Sequence, residues 1–543
     1  MTFNSILCTQ WPEGAKAFAF ADDATFIVRG HSRHVLEARC NDVISQFDML
    51  CNQKKLRISE LKSKYIIFHK PGQTLLRNPC INLRQKRVKR VKELKLLGLL
   101  IDEKLSWLPH LRAQRIKAHR IASRIKGMQG SDWGLRPHIL KIIYSTVVEK
   151  ILIYGAAIWA LPMTTRKQQI LNSVQRPFVL AITRAYRTTA TAAATVLAGL
   201  IPLHIRAQME AVIAKVTLLK QPAQYQNLHF SPEDFESNLQ VAEVHPALFC
   251  KNVHAYTTML EDNNDHSNAL KIYTDGSQVN GTTGCSYTIK RNGSTLRSWK
   301  GFLGAGNSVF QAEAEAIRQA ILAASQFSYS TAEIHTDSLS AIHAIRNPFH
   351  RSPIIGRIQQ TLHQYEGRIL IFWIKAHAGH QGNEEADLLA KEAASNLDAE
   401  QLAIKLPKSY VKKAVLNAAL KQWQEEWNSI PQGRRTYEFA HKVSLERQIS
   451  QPHITRFITG HGPFPDYFLE RRITNTNICV CGQPGSPDHY VTFCPLTREW
   501  HMPFYNTDPA YKRFFIRQPA VLKKLKSIMD RLQALGQDLC DSA

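Results

Sequence analysis

Four acidic residues stand where a carboxylate has something to do. Asp275 closes the predicted strand in Tyr273-Thr274-Asp275-Gly276-Ser277, and Asp337 closes another in His335-Thr336-Asp337-Ser338. Both carboxylates then leave a sheet at strand termini. Glu313 shares a helical face with Phe310, Ile317, Ala320, Ile321 and Ala324, which places it on the stripe expected to be buried. An unpaired buried carboxylate is unfavourable, and a bound cation offsets the penalty. Glu315 falls on the expected wet side of the same helix and is the ordinary acid for comparison. Asp387 falls in the first turns of a helix that Asn383 is placed to cap. Carboxylates are hard oxygen donors suited to magnesium or manganese. Taken singly, each of the four also fits an ordinary turn or cap.

A second constellation has softer ligands. Cys479, Cys481, His489 and Cys494 form a C-x-C-x7-H-x4-C array with Gly482, Pro484, Gly485 and Pro487 between them. A turn-rich spacer lets a short chain wrap one tetrahedral zinc, and three thiolates with one imidazole make a closed, structural site. One residue between the first two cysteines is tighter than the usual spacing. Reduced cysteines without metal are the alternative, and His461 and His501 are possible substitutes for His489.

The elements that must position these residues follow from period and turn chemistry. A strand is expected to Thr274, then Cys285 to Lys290 and Ser294 to Phe302, joined through Asn292-Gly293, the pair most favoured in tight hairpins. A helix from about Ser308 to Gln326, a strand at Ala332 to Thr336, a short helix after Ser338, a strand at Ile369 to Ile374 and a helix from Glu384 complete a mixed sheet flanked by helices. Upstream, Ala17 to Val28 reads as a hairpin with Asp22 and Asp23 at its turn, Val35 to Asn52 as a helix, and Tyr65 to His69 as a strand. From Leu105 to about Leu219 the pattern turns helical, with Ala118, Ile121, Ala122 and Ile125 beneath a row of arginines and lysines. The stretch from Gln221 to about Asn268 is rich in Pro, Asn, Asp and His and reads as a linker.

At 543 residues the chain is too long for one core. Its 69 Lys and Arg against 44 Asp and Glu give a formal charge of +25, which points to polyanionic partners. Seven basic residues lie between Arg84 and Lys95 against Glu93 alone, and six more between Arg112 and Lys126. Contacts with phosphates are expected there. Ten scattered cysteines do not make a disulfide framework. No signal sequence opens the chain, and the longest apolar stretch, Ile151 to Met163, is too short to span a bilayer. An intracellular location is expected, with nucleus or cytoplasm left open and no membrane partner.

The segments Thr-Asp-Gly-Ser at 274–277, Gln-Ala-Glu at 311–313, Thr-Asp-Ser at 336–338, Trp373-Ile-Lys-Ala-His377, Gly382-Asn-Glu-Glu-Ala-Asp387 and Leu389-Ala-Lys occur in the order of the type I ribonuclease H family, which the stretch from about Leu270 to Ala394 resembles. By that resemblance Asp275, Glu313, Asp337 and Asp387 hold two magnesium or manganese ions, and His377 is a mobile histidine that assists proton transfer or product release. The substrate implied is an RNA-DNA hybrid. Ala314 and Glu315 depart from the leucines of many relatives, which touches packing and not the ligand set.

Phe20-Ala21-Asp22-Asp23, Lys62-Ser63-Lys64 before Tyr65-Ile-Ile-Phe68, and Leu94-Lys95-Leu-Leu-Gly98 resemble palm segments of reverse transcriptases. Ile153-Tyr154-Gly155 through Trp159, and Leu171-Asn-Ser-Val-Gln-Arg176 onwards, resemble non-LTR retrotransposon polyproteins, notably the Jockey-like group. The cysteine array is similar to their C-terminal zinc knuckle, with nucleic-acid contact as its implied use. Such polymerases need an earlier metal-binding aspartate and a Pro-Gln-Gly segment. Glu13 is the sole acid before Asp22, so primer extension is not expected unless an upstream polymerase chain supplies the rest, and Asp22 and Asp23 are a remnant metal site.

The expected fold is multidomain, α+β and α/β. Its parts are a truncated reverse-transcriptase palm at 1–103, a helical thumb- or connection-like region at 104–220, a linker at 221–268 and a ribonuclease H domain at 269–398. A helical linker at 399–450, a zinc-knuckle region at 451–505 and a basic helical tail at 506–543 follow. The expected function is metal-dependent hydrolysis of the RNA strand of a hybrid, within a chain that grips nucleic acid. The alternative is a non-catalytic nucleic-acid binder.

Overall fold

The computed structural model describes residues 8–69, 77–128, 134–239, 244–246, 248–249, 253–257, 269–327, 331–365, 367–395, 399–447, 451–503 and 508–535. The chain divides into two compact units, one formed by Gln208–Trp423 and the other by Met1–Ala207 together with Gln424–Ala543.

The central unit is built on one seven-stranded sheet. Its strands are β1 (His254–Tyr256), β2 (Leu270–Val279), β3 (Thr282–Arg291), β4 (Ser294–Leu303), β5 (Ala332–Thr336), β6 (Ile369–Trp373) and β7 (Glu400–Leu402). Across the sheet they run β1-β6-β5-β2-β3-β4-β7. The β2-β3-β4 meander is antiparallel, whereas β5 pairs parallel with β2, β6 with β5, β1 with β6 and β7 with β4. Two Asn-Gly turns close the meander, Asn280-Gly281 and Asn292-Gly293, each with positive φ at both residues. That backbone matches the right-handed twist of the flanking strands. The first of these turns lengthens β2 beyond the expected end at Thr274, so Asp275 lies inside a strand rather than at its terminus.

Four helices cover this sheet: α1 (Val309–Ala324), α2 (Leu339–Arg346), α3 (Pro353–Gln364) and α4 (Gln381–Ser395). Helix α1 begins with a capping box in which Ser308 and Gln311 satisfy each other's backbone N–H. Its Ile317, Ala320 and Ile321 pack with Ile272 and Ile289 of the meander, Ile334 and Ile371 of the parallel strands, and Ile355 and Ile358 of α3. Each fully buried isoleucine contributes about 1.5–3 kcal/mol of transfer free energy. Helix α4 comes close to β3 because Gly284 has no side chain there; a Cβ would meet the Ala390 carbonyl at 2.1 Å.

The segment expected to be a linker is not structureless where it is described. Ala223–Tyr225 pairs with Leu228–Phe230 as a small hairpin, Phe235 is buried, and β1 extends the sheet edge beside β6. The polar composition hid a few apolar anchors, Phe230, Phe235, Val253 and Ala255, which are enough to dock the chain.

In the other unit the hairpin Ala15–Phe20/Asp23–Val28 and the helix Arg33–Gln53 form as expected. The palm expected over 1–103 differs. Among the described residues its strands make separate two-stranded pieces, with Lys64–Tyr65 against Lys89–Arg90, Asn82–Leu83 against Lys86–Arg87, and Glu93–Leu96 against Leu99–Asp102. Tight turns at Ala21, Arg84 and Leu97-Gly98, all with positive φ, close the three antiparallel pieces as hairpins, while Lys64–Tyr65 and Lys89–Arg90 pair in parallel. Helix Leu108–Lys126 buries Leu111, Ala118 and Ile125 and exposes Arg112, Arg115, Arg120 and Arg124 on the opposite face. No single helix among the described residues is long and apolar enough to cross a membrane.

Candidate active site

Register brings the first two acids together. The parallel pairing of β2 with β5 ends at Thr274 opposite Thr336, and Asp275 and Asp337 each stand one residue beyond that last pair. Paired strands lie about 4.8 Å apart, so the two residues emerge from neighbouring strands. On its other side Asp275 pairs with Ser286 of β3, whose hydroxyl donates to the Ala386 carbonyl of α4 at 2.6 Å. Thr288 donates to the Gly382 carbonyl at 3.1 Å. These two bonds fix α4 over the sheet and bring Asp387, the residue after Ala386, to the same place.

Glu313 arrives from the helix α1. Gly276 makes this approach possible, since a Cβ there would lie 2.5 Å from the backbone nitrogen of Glu313. The Ser338 hydroxyl donates to Glu313 Oε2 and also caps α2 by accepting from Ala341 N at 3.2 Å. One serine therefore ties the third acid to the segment carrying the second. The expected contrast along α1 is reversed. Glu313 is half-buried, whereas Glu315 is 3 % exposed and paired with Arg318. The long arginine reaches in from the helix rim and neutralises Glu315, which is how a buried acid off the site is accommodated.

Asp337 has two further partners. Trp373 Nε1 donates to its carbonyl at 3.1 Å, and Asn383 Nδ2 lies 3.4 Å from its Oδ2. Asn383 is not the helix cap expected of it, because α4 starts at Gln381, and its side chain turns to Asp337 instead. Asp387 Oδ2 accepts from Lys391 Nζ at 2.6 Å. His377 stands apart, in an exposed turn with φ of +52°.

The electrostatics record the convergence. Burial first, and then the charges of Asp337, Asp387 and Glu313, push the Asp275 carboxyl up to about 7, against a backbone hydrogen bond at Gly276. Burial also raises Glu313, with the Ser338 hydroxyl pulling the other way and Asp337 adding to the rise. The structure thus gathers the four expected acids and leaves His377 outside their contacts. Sequence reasoning missed Ser338 and Asn383 as partners of the acids, although both lie inside the quoted motifs.

The family model for RNase H matches residues 267–395. The chain carries a ribonuclease H domain. The chain is also similar to Pol polyproteins of non-LTR retrotransposons, as its sequence led us to expect. A Pol polyprotein from the type-1 retrotransposable element R1 4 of Nasonia vitripennis is 31% identical over 216 residues, 37% of this chain and 54% of that protein. One from the element R1 of Bradysia coprophila is 26% identical over 220 residues, 40% of this chain and 21% of that protein. The chain therefore matches about half of the first relative's length and about a fifth of the second's. Among solved structures, RNase H1 from the archaeon Halobacterium salinarum NRC-1 is 18% identical, covering 24% of this chain and 98% of its own, with a TM-score of 0.20. The matched residues hold strands β2 to β6 of the mixed sheet and helices α1 to α4, while β1 and β7 extend the sheet from outside them.

The cysteine array also assembles, in the other unit. Ligand atoms of Cys479, Cys481, His489 and Cys494 all lie within 4.8 Å of one another. Cys479 Sγ is 3.9 Å from Cys494 Sγ, and Cys481 Sγ is 3.3 Å from His489 Nε2. Gly482, at φ of +87°, turns the chain between the first two cysteines and Pro484, and Ser486 caps the helix Pro487–Thr492 that carries His489. His461 and His501 are engaged elsewhere, with Thr188 and with the Cys494 carbonyl respectively. Burial first, then the neighbouring sulfurs, push the Cys494 thiol up to about 12. Burial lowers His489 towards the neutral imidazole that binds metal.

Proposed function

We propose that this chain hydrolyses the RNA strand of RNA-DNA hybrids at the site formed by Asp275, Glu313, Asp337 and Asp387. The observation that carries this reading is the convergence of the acids: Asp275 and Asp337 leave neighbouring strands one residue beyond their last parallel pair, and the Ser338 hydroxyl, next in sequence to Asp337, holds Glu313, with the Asp275 carboxyl raised by burial and the three other charges in consequence. Acids forced together in this way need a cation, and an all-oxygen donor set fits magnesium or manganese. When bound, two divalent ions supply stabilisation of the attacking and leaving oxygens of an in-line displacement at phosphorus.

The chain's own residues do the positioning. Asp275 and Asp337 present adjacent carboxylates from the sheet, Ser338 holds Glu313, and α4 presents Asp387. His377, in its exposed turn, is free of partners among the described residues and can approach a substrate to move a proton or to help the product leave. In the other unit the row Arg112, Arg115, Arg120 and Arg124, whose guanidinium groups have no acidic partner among the described residues, is a separate surface for nucleic-acid phosphates.

The same proposal gives zinc to Cys479, Cys481, His489 and Cys494. A tetrahedral ion with thiolate bonds of about 2.3 Å separates two sulfurs by about 3.8 Å, beside the observed 3.9 Å. Its use would be to hold the fold of a nucleic-acid-binding segment. Asp22 and Asp23 lie at an exposed hairpin turn and take no part in cutting; we read them as the remnant of a polymerase metal site.

The test is incubation of the full chain with a hybrid labelled on its RNA strand, with and without magnesium, beside Asp275→Asn. Magnesium-dependent cutting that the variant lacks supports the reading. No cutting by either protein, with hybrid binding retained, leaves a binder without turnover.

A further inference from the structure

Among the described residues, one cation touches the carboxylate site. Lys391 Nζ lies 2.6 Å from Asp387 Oδ2. Among the described residues neither Asp275, Glu313 nor Asp337 forms an ion pair; their polar partners are neutral, a backbone amide at Asp275, the Ser338 and Ser340 hydroxyls at Glu313 and the Asn383 amide at Asp337. The charge of Asp387 is nevertheless felt at Asp275, and the charge of Asp275 is felt at Lys391. The lysine is part of the electrostatics of the whole group.

Its geometry differs from that of the other bases near α4. Lys290, on β3, reaches Glu385, and Lys300, on β4, reaches Glu392. Both partners are acids outside the site. Lys391 instead follows Asp387 by four residues, one helical turn on the same face, and occupies an oxygen that a divalent ion would need. Its side chain is 51 % exposed, whereas that of Asp387 is 25 % exposed. The ammonium therefore has solvent to retreat into on a flexible four-carbon stem, and the carboxylate stays in place.

We propose that Lys391 is a built-in counter-ion that holds Asp387 and competes with divalent cations for it. It is a positioning residue. In the metal-free protein it restrains one of four mutually repelling acids, and it yields that oxygen when a divalent ion arrives. This rests on the carboxylates being the metal site. It predicts the reverse of what a supporting residue would show: removal of the positive charge strengthens metal binding. A pair this exposed has a modest interaction, so the gain is limited to about two- to fivefold.

The test is a calorimetric titration of the full chain with magnesium, a hard ion that the thiolate cluster does not favour, for the native protein, Lys391→Gln, Lys391→Arg and Asp275→Asn. The expected result is about two- to fivefold tighter binding by Lys391→Gln, with Lys391→Arg close to the native protein. The magnesium concentration for half-maximal cutting of a hybrid should fall by the same factor in Lys391→Gln. Equal or weaker binding by Lys391→Gln, while Asp275→Asn loses binding, overturns the role of Lys391 alone. Binding that Asp275→Asn leaves unchanged overturns the carboxylate site itself, and the competition with it. Circular dichroism of each variant checks that the fold is retained.

Discussion

The carboxylate site and the cysteine cluster are two answers to the problem of gathering groups that repel or resist burial. The cysteine cluster is local and closed. One tight turn and one short helix bring its four ligand atoms within 4.8 Å, and its sulfurs are spaced for a single ion. The carboxylate site is distributed and open. Its acids come from β2, α1, the end of β5 and α4, and strand register and helix packing, not sequence proximity, bring them together. A local cluster depends on its metal for its fold, whereas a distributed one depends on the fold for its metal. Under the function proposed above, the cysteine cluster takes the structural role and the carboxylate site the catalytic one.

The comparison breaks first where metal holds the fold. Cys494→Ser, or exposure to a zinc chelator, should unfold the segment around 479–494, because a structural zinc contributes on the order of 10 kcal/mol. Cutting of a short hybrid should persist. Calorimetric melting with a parallel cleavage assay checks both halves, and loss of both together would remove the distinction between the sites.

The next largest effect is electrostatic. An unfolded chain gives up the Asp275 proton near the ordinary value, while the folded, metal-free site keeps it to about 7. Folding then binds more protons than the unfolded chain does, so stability falls as pH rises from about 4 to about 7, by up to about 4 kcal/mol. Asp275→Asn should flatten this slope and be the more stable protein at pH 7 without divalent ions. Denaturant melts across the range measure it. Magnesium should restore the native protein towards the variant.

Gly276→Ala probes the close approach of β2 to α1. The added methyl meets the Glu313 backbone at 2.5 Å, and overpacking of this kind destabilises by roughly 1–3 kcal/mol, with cutting impaired because Glu313 is displaced. Ser338→Ala has an effect of similar size: a hydrogen bond to a charged group is worth about 1.5–3 kcal/mol, so we expect roughly a ten- to hundredfold loss of rate with affinity for the hybrid unchanged.

The two sites were also unequally legible. The cysteine array could be read from spacing, and the structure assembles those four side chains while leaving His461 and His501 elsewhere. The four acids were found through the order of motifs, but their geometry was not. Reading β2 as ending at Thr274 overlooked the Asn280-Gly281 turn, and with it the register that puts Asp275 beside Asp337. Helical period alone put Glu315 in water, since Arg318 neutralises it from a neighbouring turn. Helix α3 escaped the first reading although Pro353 starts it and Ile354, Ile355, Ile358 and Leu362 mark its buried face. Composition misread the described part of 221–268 because a handful of anchors dock a polar chain, and in 15–102 the strands stay in two-stranded pieces although Ile81, Leu83 and Val88 pack with Cys40, Ile44, Ile58 and Tyr65 in one small core. Contacts made by single polar groups, Ser338 to Glu313 and Asn383 to Asp337, depend on packing and were beyond any pattern.

The central claim is hydrolysis of RNA by an activated water at the four carboxylates. The most direct measurement is the chemistry of the cut ends on a hybrid labelled on both strands, with magnesium, for the native chain and Asp275→Asn. Displacement of the 3′ oxygen by water predicts an intact DNA strand and RNA fragments ending in 3′-hydroxyl and 5′-phosphate, with none from the variant. Cyclic 2′,3′-phosphate ends, cutting of the DNA strand, or equal cutting by Asp275→Asn would contradict it.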